Sequence, residues 1–170
     1  GAMIYLGDNW PAEYRGNLYT LNLHGHRMSR DALARKGSGY AISHLPDFLL
    51  GHDTWFRGLD CQYGPDGGVF VSDWTDTGEC HNYDKADMAN GRLYKIVHGR
   101  PEARAPRLGT DSDADLVKAH DHANQWYVRH ARRILQERAA AGKLDAGTVP
   151  ALFDRLKRLA SGKDDVDADA

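Results

Sequence analysis

The sequence contains no run approaching the roughly 20 consecutive apolar residues that a bilayer-spanning helix requires, and its start shows no charged-then-apolar leader pattern. The stretch is therefore expected neither to cross a membrane nor to direct itself to one. Its opening Gly1-Ala2-Met3 reads either as a cloning scar or as native sequence cut from a longer chain. An excess of one charge is also missing: 22 Lys and Arg face 24 Asp and Glu, for a formal net charge of -2, with both signs intermixed along most of the chain. Without a basic field to hold a phosphate backbone, nucleic acid is not expected as a partner. Cysteine is scarce. Cys61 and Cys80 are compatible with a disulfide, two buried thiols or a reactive pair, and two cysteines do not fix a redox compartment. Cys80-His81 has the ending of a C-x-x-C-H haem-attachment motif, but the first cysteine would fall at Thr77, so no covalent haem is expected in this chain.

What is present is ordinary globular composition, 41% apolar and 27% charged, enough for one or two domains with a core. The composition changes near residue 100. Before it fall most of the glycines and short β-type runs broken by turns; after it come Ala, Arg, Leu and Asp at helical spacing. The join over residues 100–110, with Pro101 and Pro106, reads as a linker. The expected organisation is a sheet region 1–99, the linker 100–110, helices over 111–161 and a disordered acidic tail over 162–170.

In the first part, Leu18 to Leu23 reads as a strand, turned at His24-Gly25 into a second near His26 to Arg30, and Gly39 to Leu50 holds one or two short extended pieces. A clearer hairpin runs from Gly58 to Tyr63, through Gly64-Pro65-Asp66-Gly67-Gly68, to Val69 and Trp74; Pro65 presets a turn dihedral and the glycines can take positive φ. Residues 91–97 supply another strand. Such short antiparallel strands suit two propeller blades or part of a sandwich. In the second part, residues 112–120 form a short helix capped by Thr110, Asp111 or Ser112. Asn124 caps a second, with Tyr127, Ala131, Ile134 and Leu135 on its apolar stripe. A third spans Thr148 to Ala160 with Leu152, Phe153, Leu156 and Leu159 on one face. Helical hairpins of this kind are the unit of a solenoid repeat.

The string from Tyr5-Leu6-Gly7-Asp8-Asn9-Trp10-Pro11 to Asn22-Leu23-His24-Gly25 resembles a penultimate-blade motif of the large PVC-type membrane-bound dehydrogenase domain proteins, which are similar to soluble quinoprotein sugar dehydrogenases. Trp55-Phe56-Arg57-Gly58-Leu59-Asp60, the Gly64 to Trp74 segment, and Gly91-Arg92-Leu93-Tyr94-Lys95-Ile96 carry the likeness on, and Asn124 to Arg133 resembles the family's passage into helices. The resemblance implies a β-propeller fragment of about two antiparallel blades followed by α-helical HEAT-like hairpins, a mixed β-then-α chain. Two blades alone leave unpaired edges and half a core, so the sequence reads as part of a longer one. It further implies an exported parent protein, periplasmic or membrane-anchored, that oxidises a sugar or alcohol with pyrroloquinoline quinone and Ca²⁺ and passes electrons to its cytochrome c domain.

By that resemblance, Arg57 matches the arginine that binds quinone carboxylates, with Asp60 beside it as a second cofactor-binding candidate; a guanidinium fork suits a carboxylate. The alternative is that Arg57 pairs with Asp60 and only ties strands. Asp73, Asp76 and Glu79, with Asp84 and Asp87 nearby, are candidate Ca²⁺ ligands as hard oxygen donors, and Cys80 and His81 would suit a softer ion. No catalytic residue is assigned. His24 and His26 flank a glycine turn, and alternation would send both to one face; a turn-stabilising role fits them better than a base. Trp10, Trp55 and Trp74 can stack on a sugar or fill space between blades. His120, His122 and His130 read as surface or capping groups. A dehydrogenase fragment, inactive alone, leads this reading. The rivals are a non-catalytic propeller-solenoid scaffold for a glycan or protein, and a self-contained small α+β domain.

Overall fold

The computed structural model describes residues 1–74 and 89–161. Its order is sheet first, helix second, and the chain divides into two compact units, Gly1–Glu102 and Ala103–Ala170.

Among the described residues the first unit holds two open antiparallel sheets. One is a four-stranded meander in the order β1 (Ala2–Ile4), β2 (Leu18–Asn22), β3 (Arg27–Lys36) and β4 (Gly39–Leu50). The other runs β5 (Gly58–Tyr63), β6 (Val69–Asp73) and β7 (Arg92–Ile96). In β6 the alternation is strict: Val69, Val71 and Asp73 are buried while Phe70 faces out beneath the Lys95 ammonium, the period of two that a one-sided sheet imposes. β5 lies against β1 and β2. Tyr5, Trp10, Tyr19, Phe48 and Tyr63 fill the core; Trp10 stacks on Tyr5 at 4.3 Å and tilts against Phe48 at 4.4 Å. Each such ring pair adds about 0.5–1.5 kcal/mol beyond its buried area.

Two expectations for this region need correction. The strand after the His24-Gly25 turn begins at Arg27 and continues to Lys36, because no glycine or proline interrupts it before Gly37. Its partner, expected as one or two short pieces, is a single strand of 12 residues. A bulge keeps it continuous: Met28 pairs with Leu49 but Arg30 with Leu45, so Pro46, Asp47 and Phe48 are absorbed opposite Ser29. A proline that cannot donate to the ladder is accommodated at such a site.

In the second unit, α1 (Asp113–Lys118) starts at Ser112, whose hydroxyl accepts from the Asp115 N–H at 3.1 Å. α2 (Gln125–Ala140) starts at Asn124, whose side chain accepts from the Trp126 N–H at 2.9 Å. Both caps satisfy amides that a helix start leaves unpaired. α3 (Thr148–Ala160) follows. Leu108, Leu116, Ala131 and Leu135 form the core, with Ile134, Leu144 and Leu152 packed on it. Val128 is also buried, one position off the expected stripe. α3 presents a different face from the one expected. Thr148 and Arg155 turn inward with Leu152, whereas Phe153 and Leu156 stand 58% and 59% exposed. Arg155 wins the inward position because it donates to Asp121 at 2.8 Å and to the His120 carbonyl at 2.7 Å. The tail over 162–170 lies outside the described residues.

Candidate functional site

The site grows from the segment that leads into β5. Asp53 closes a short turn: its carboxylate accepts from the Trp55 N–H at 2.8 Å and its carbonyl from the Phe56 N–H at 3.1 Å. That turn aims Arg57 into the unit's interior, where it is 7% exposed. Its guanidinium donates to the carbonyls of Thr54 at 3.0 Å and Phe56 at 3.1 Å and lies against the His26 ring, 3.3 Å from Nε2. Its backbone N–H donates to Asp73 at 2.6 Å, and its carbonyl accepts from the Trp74 N–H at 3.0 Å.

Asp73, buried at the end of β6, is thus held on one side by the Arg57 amide. Its other oxygen accepts from Arg92 Nε at 2.7 Å, and Arg92 reaches on to Asp53 at 2.6 Å. One arginine at the start of β7 therefore bridges two carboxylates, a fork geometry suited to guanidinium. The Trp55 amide, and after it the Arg92 side chain, hold the Asp53 carboxyl below its ordinary range. Its pairing with Asp53, and then with Asp73, raises Arg92 above its ordinary value. Ion-paired groups of this kind are poor proton carriers and good hydrogen-bonding partners.

Arg92 and Asp53, about one-third exposed, open onto a cleft of about 430 Å³ that Trp55 and Asn90 also line. The three tryptophans considered as stacking groups separate here: Trp10 is core, whereas Trp55 and Trp74 stand 38% and 49% exposed. A half-exposed indole beside paired donors and acceptors can take the C–H face of a polyol and bond its hydroxyls.

The structure does not bring Arg57 and Asp60 together. The Asp60 carboxylate accepts instead from the Cys61 N–H at 2.9 Å and the Gln62 side chain at 3.1 Å, on the exposed side of β5. Arg57 does not line the cleft. Its guanidinium is turned onto the Thr54 and Phe56 carbonyls and His26. Asp73 has both oxygens engaged, and Asp76, Glu79, Cys80, His81, Asp84 and Asp87 lie outside the described residues. Among the described residues no three His, Cys, Asp or Glu side chains converge as metal ligands.

His24 and His26 do not share an extended face, because His26 takes a left-handed backbone with φ 50°. The His26 Nδ1 sits 2.9 Å from the Phe56 carbonyl, which makes it a tie to the Arg57 segment. In the helical unit, His120 is buried rather than superficial, with Nδ1 2.9 Å from the Leu116 carbonyl. His122 accepts from the Asn124 N–H at 2.9 Å, a capping role. Asp53 and Arg92 were missed as site residues. The Asp53-Thr54-Trp55 spacing is an Asx-turn signal, and Arg92 stands at the head of a strand where only pairing across the sheet reveals its partner Asp73.

No curated protein and no solved structure matches the chain. One family model does, described as a domain of unknown function, DUF7133, and it matches residues 1–100, a span that takes in both sheets and the whole Asp53–Arg92–Asp73 cluster. The chain belongs to the DUF7133 family.

Proposed function

We propose that the chain contributes a saccharide-contacting surface to an exported, sugar- or alcohol-oxidising protein of the PVC-type, quinoprotein-like kind, which passes electrons to a cytochrome c domain. In this reading the two meanders are blades of a propeller and the helices begin a HEAT-like array. The observation that carries it is the exposed Trp55 indole beside the Arg92–Asp53 pair in an open cleft. An apolar ring face next to fixed donors and acceptors suits a neutral polyol.

A second reading, a non-catalytic scaffold that holds a glycan, draws on Arg57. Its guanidinium bonds the Thr54 and Phe56 carbonyls and lies against His26, contacts it would have to give up to grip a cofactor.

Calorimetric titration of the full chain with a neutral disaccharide, and separately with pyrroloquinoline quinone plus Ca²⁺, tests both. Trp55→Ala and Arg57→Ala are titrated alongside. The expected result is saccharide binding lost in Trp55→Ala. Quinone binding lost in Arg57→Ala adds the dehydrogenase role, and saccharide binding without quinone binding moves the assignment to the scaffold. Undiminished saccharide binding by Trp55→Ala, or none by the parent chain, overturns the surface itself.

A further inference from the structure

We infer that the helical unit carries a docking groove for an acidic peptide segment, with an apolar side chain seated on Trp126 and Ile134 and carboxylates meeting Arg133 and Lys143. This rests on the second unit alone and is independent of the saccharide reading.

The groove, about 500 Å³ and open along one side, runs along one stripe of α2. Trp126, His130, Arg133 and Ile134 recur there at helical spacing, and the segment around Leu108 forms the facing wall. Its floor is preorganised. The Trp126 indole stacks on the His130 ring at 3.8 Å and meets Tyr127 edge to face, with ring centroids 5.1 Å apart. In the facing wall Leu108 is buried. An aromatic held in place before binding loses little side-chain freedom when a partner arrives.

The rim is cationic, and the backbone fixes its far end. After α2, Gly142 takes φ 65°, the Lys143 N–H donates to the Arg138 carbonyl at 2.8 Å, and the Gly142 N–H donates to the Ala139 carbonyl at 3.0 Å. This paired closure ends the helix and fixes where Lys143 leaves it. Among the described residues Arg133 pairs only with Glu137, at 3.4 Å between side chains 63% and 60% exposed. A contact so solvated is worth little and exchanges readily. The lining carries Arg133, Arg138 and Lys143 against Glu137, with Arg138 bonded to the buried Asp113, which leaves Arg133 and Lys143 as the outward cations. Charge complementarity thus selects an anionic partner. The apolar floor asks that partner for a hydrophobic side chain, and the open side lets a chain run through.

The test uses the full chain and a synthetic peptide of repeating Asp-Leu-Glu, with a repeating Asn-Leu-Gln peptide as its neutral counterpart, followed by NMR at the Trp126 indole N–H. The acidic peptide should shift that signal to saturation, more weakly as salt is raised. Arg133→Glu combined with Lys143→Glu should weaken binding at least about tenfold. Arg132→Glu, also exposed on α2 but off the groove, should change it less than about twofold. Equal binding of the neutral peptide, a loss in Arg132→Glu matching that of the double variant, or no saturable shift at millimolar acidic peptide would each overturn the proposal.

Discussion

The Tyr5 hydroxyl donates to the Gly67 carbonyl at 2.9 Å, a buried bond across 62 positions of sequence. The same oxygen accepts from the backbone N–H groups of Asn9 at 3.0 Å and Trp10 at 2.9 Å. A single phenol therefore satisfies three backbone groups, two of them in buried bonds, and fastens the segment after β1 to the turn between β5 and β6. Asn9 and Trp10 extend the seam: the Trp10 indole donates to the Ile96 carbonyl at 3.3 Å, and the Asn9 amide exchanges bonds with the His98 backbone. Two of the strings that carry the resemblance in the sequence, from Tyr5 and from Gly64, are thus the two sides of one joint.

Tyr5→Phe removes the hydroxyl and strands those groups. Leaving buried donors or acceptors unpaired costs about 1–3 kcal/mol, and urea unfolding followed by tryptophan fluorescence should show a fall of that order. Gly67→Ala should cost more, because φ at Gly67 is 74° and an added Cβ would sit 2.4 Å from the Asn9 nitrogen. A Gly67→Ala variant as stable as the parent would mean the turn is not clamped in solution.

Local chemistry wrote much of this fold legibly into the sequence. The Pro65-Asp66-Gly67-Gly68 turn, the Ser112 and Asn124 caps and the change from sheet to helix near residue 100 all follow from residue types acting within a few positions. What did not follow was decided by partners distant in sequence. The α3 face depends on Arg155 finding Asp121 across 34 positions, which turns Phe153 and Leu156 outward. The Asp53–Arg92–Asp73 cluster likewise exists only because β6 and β7 pair with Asp73 opposite Arg92. Resemblance singles out Arg57, and its burial onto backbone carbonyls reflects the Asp53 turn, which sequence spacing hints at but does not orient.

Arg92 holds that cluster together, so its replacements should rank by geometry. Arg92→Ala leaves the buried Asp73 carboxylate short of a donor and should cost about 1–3 kcal/mol. Arg92→Lys keeps the charge but cannot reach Asp53 and Asp73 as one fork, and should recover only part of the loss. Full recovery in the lysine variant, by denaturant titration, would show that charge alone matters there.

Cys61 is a free, buried thiol. Burial, and after it the Asp60 carboxylate, pushes its pKa up to about 11. Thiolate is the reactive form, so native Cys61 should alkylate about a hundredfold more slowly at pH 8 than in the unfolded chain, whose thiol keeps an ordinary pKa. Iodoacetamide labelling with peptide mapping of Cys61 checks this, and equal rates in the two states would contradict the burial.

Acid should weaken the helical unit in two stages. His120 has its pKa lowered, first by burial. Between its folded value and the ordinary value near 6.5 the unfolded chain holds more protons, so stability falls as pH drops below about 6.5. Asp113 has its pKa lowered first by the Asp145 amide and then by Arg138, which bonds it at 2.6 Å. Its contribution is complete above the ordinary carboxyl value and is lost as pH falls below about 4 toward the depressed folded value. Thermal melts read at 222 nm, where helix dominates, separate the stages. His120→Gln should flatten the change between about pH 7.5 and 5.5, and Asp113→Asn should lower the melting temperature at neutral pH while flattening the change below about pH 4. Asp113 also accepts from the Asp145 N–H at 2.7 Å and the Thr148 hydroxyl at 3.2 Å, so its protonation loosens the entry to α3 together with the Arg138 contact. An Asp113→Asn variant that keeps the parent's full acid limb would show that this carboxylate does not tie the three helices together.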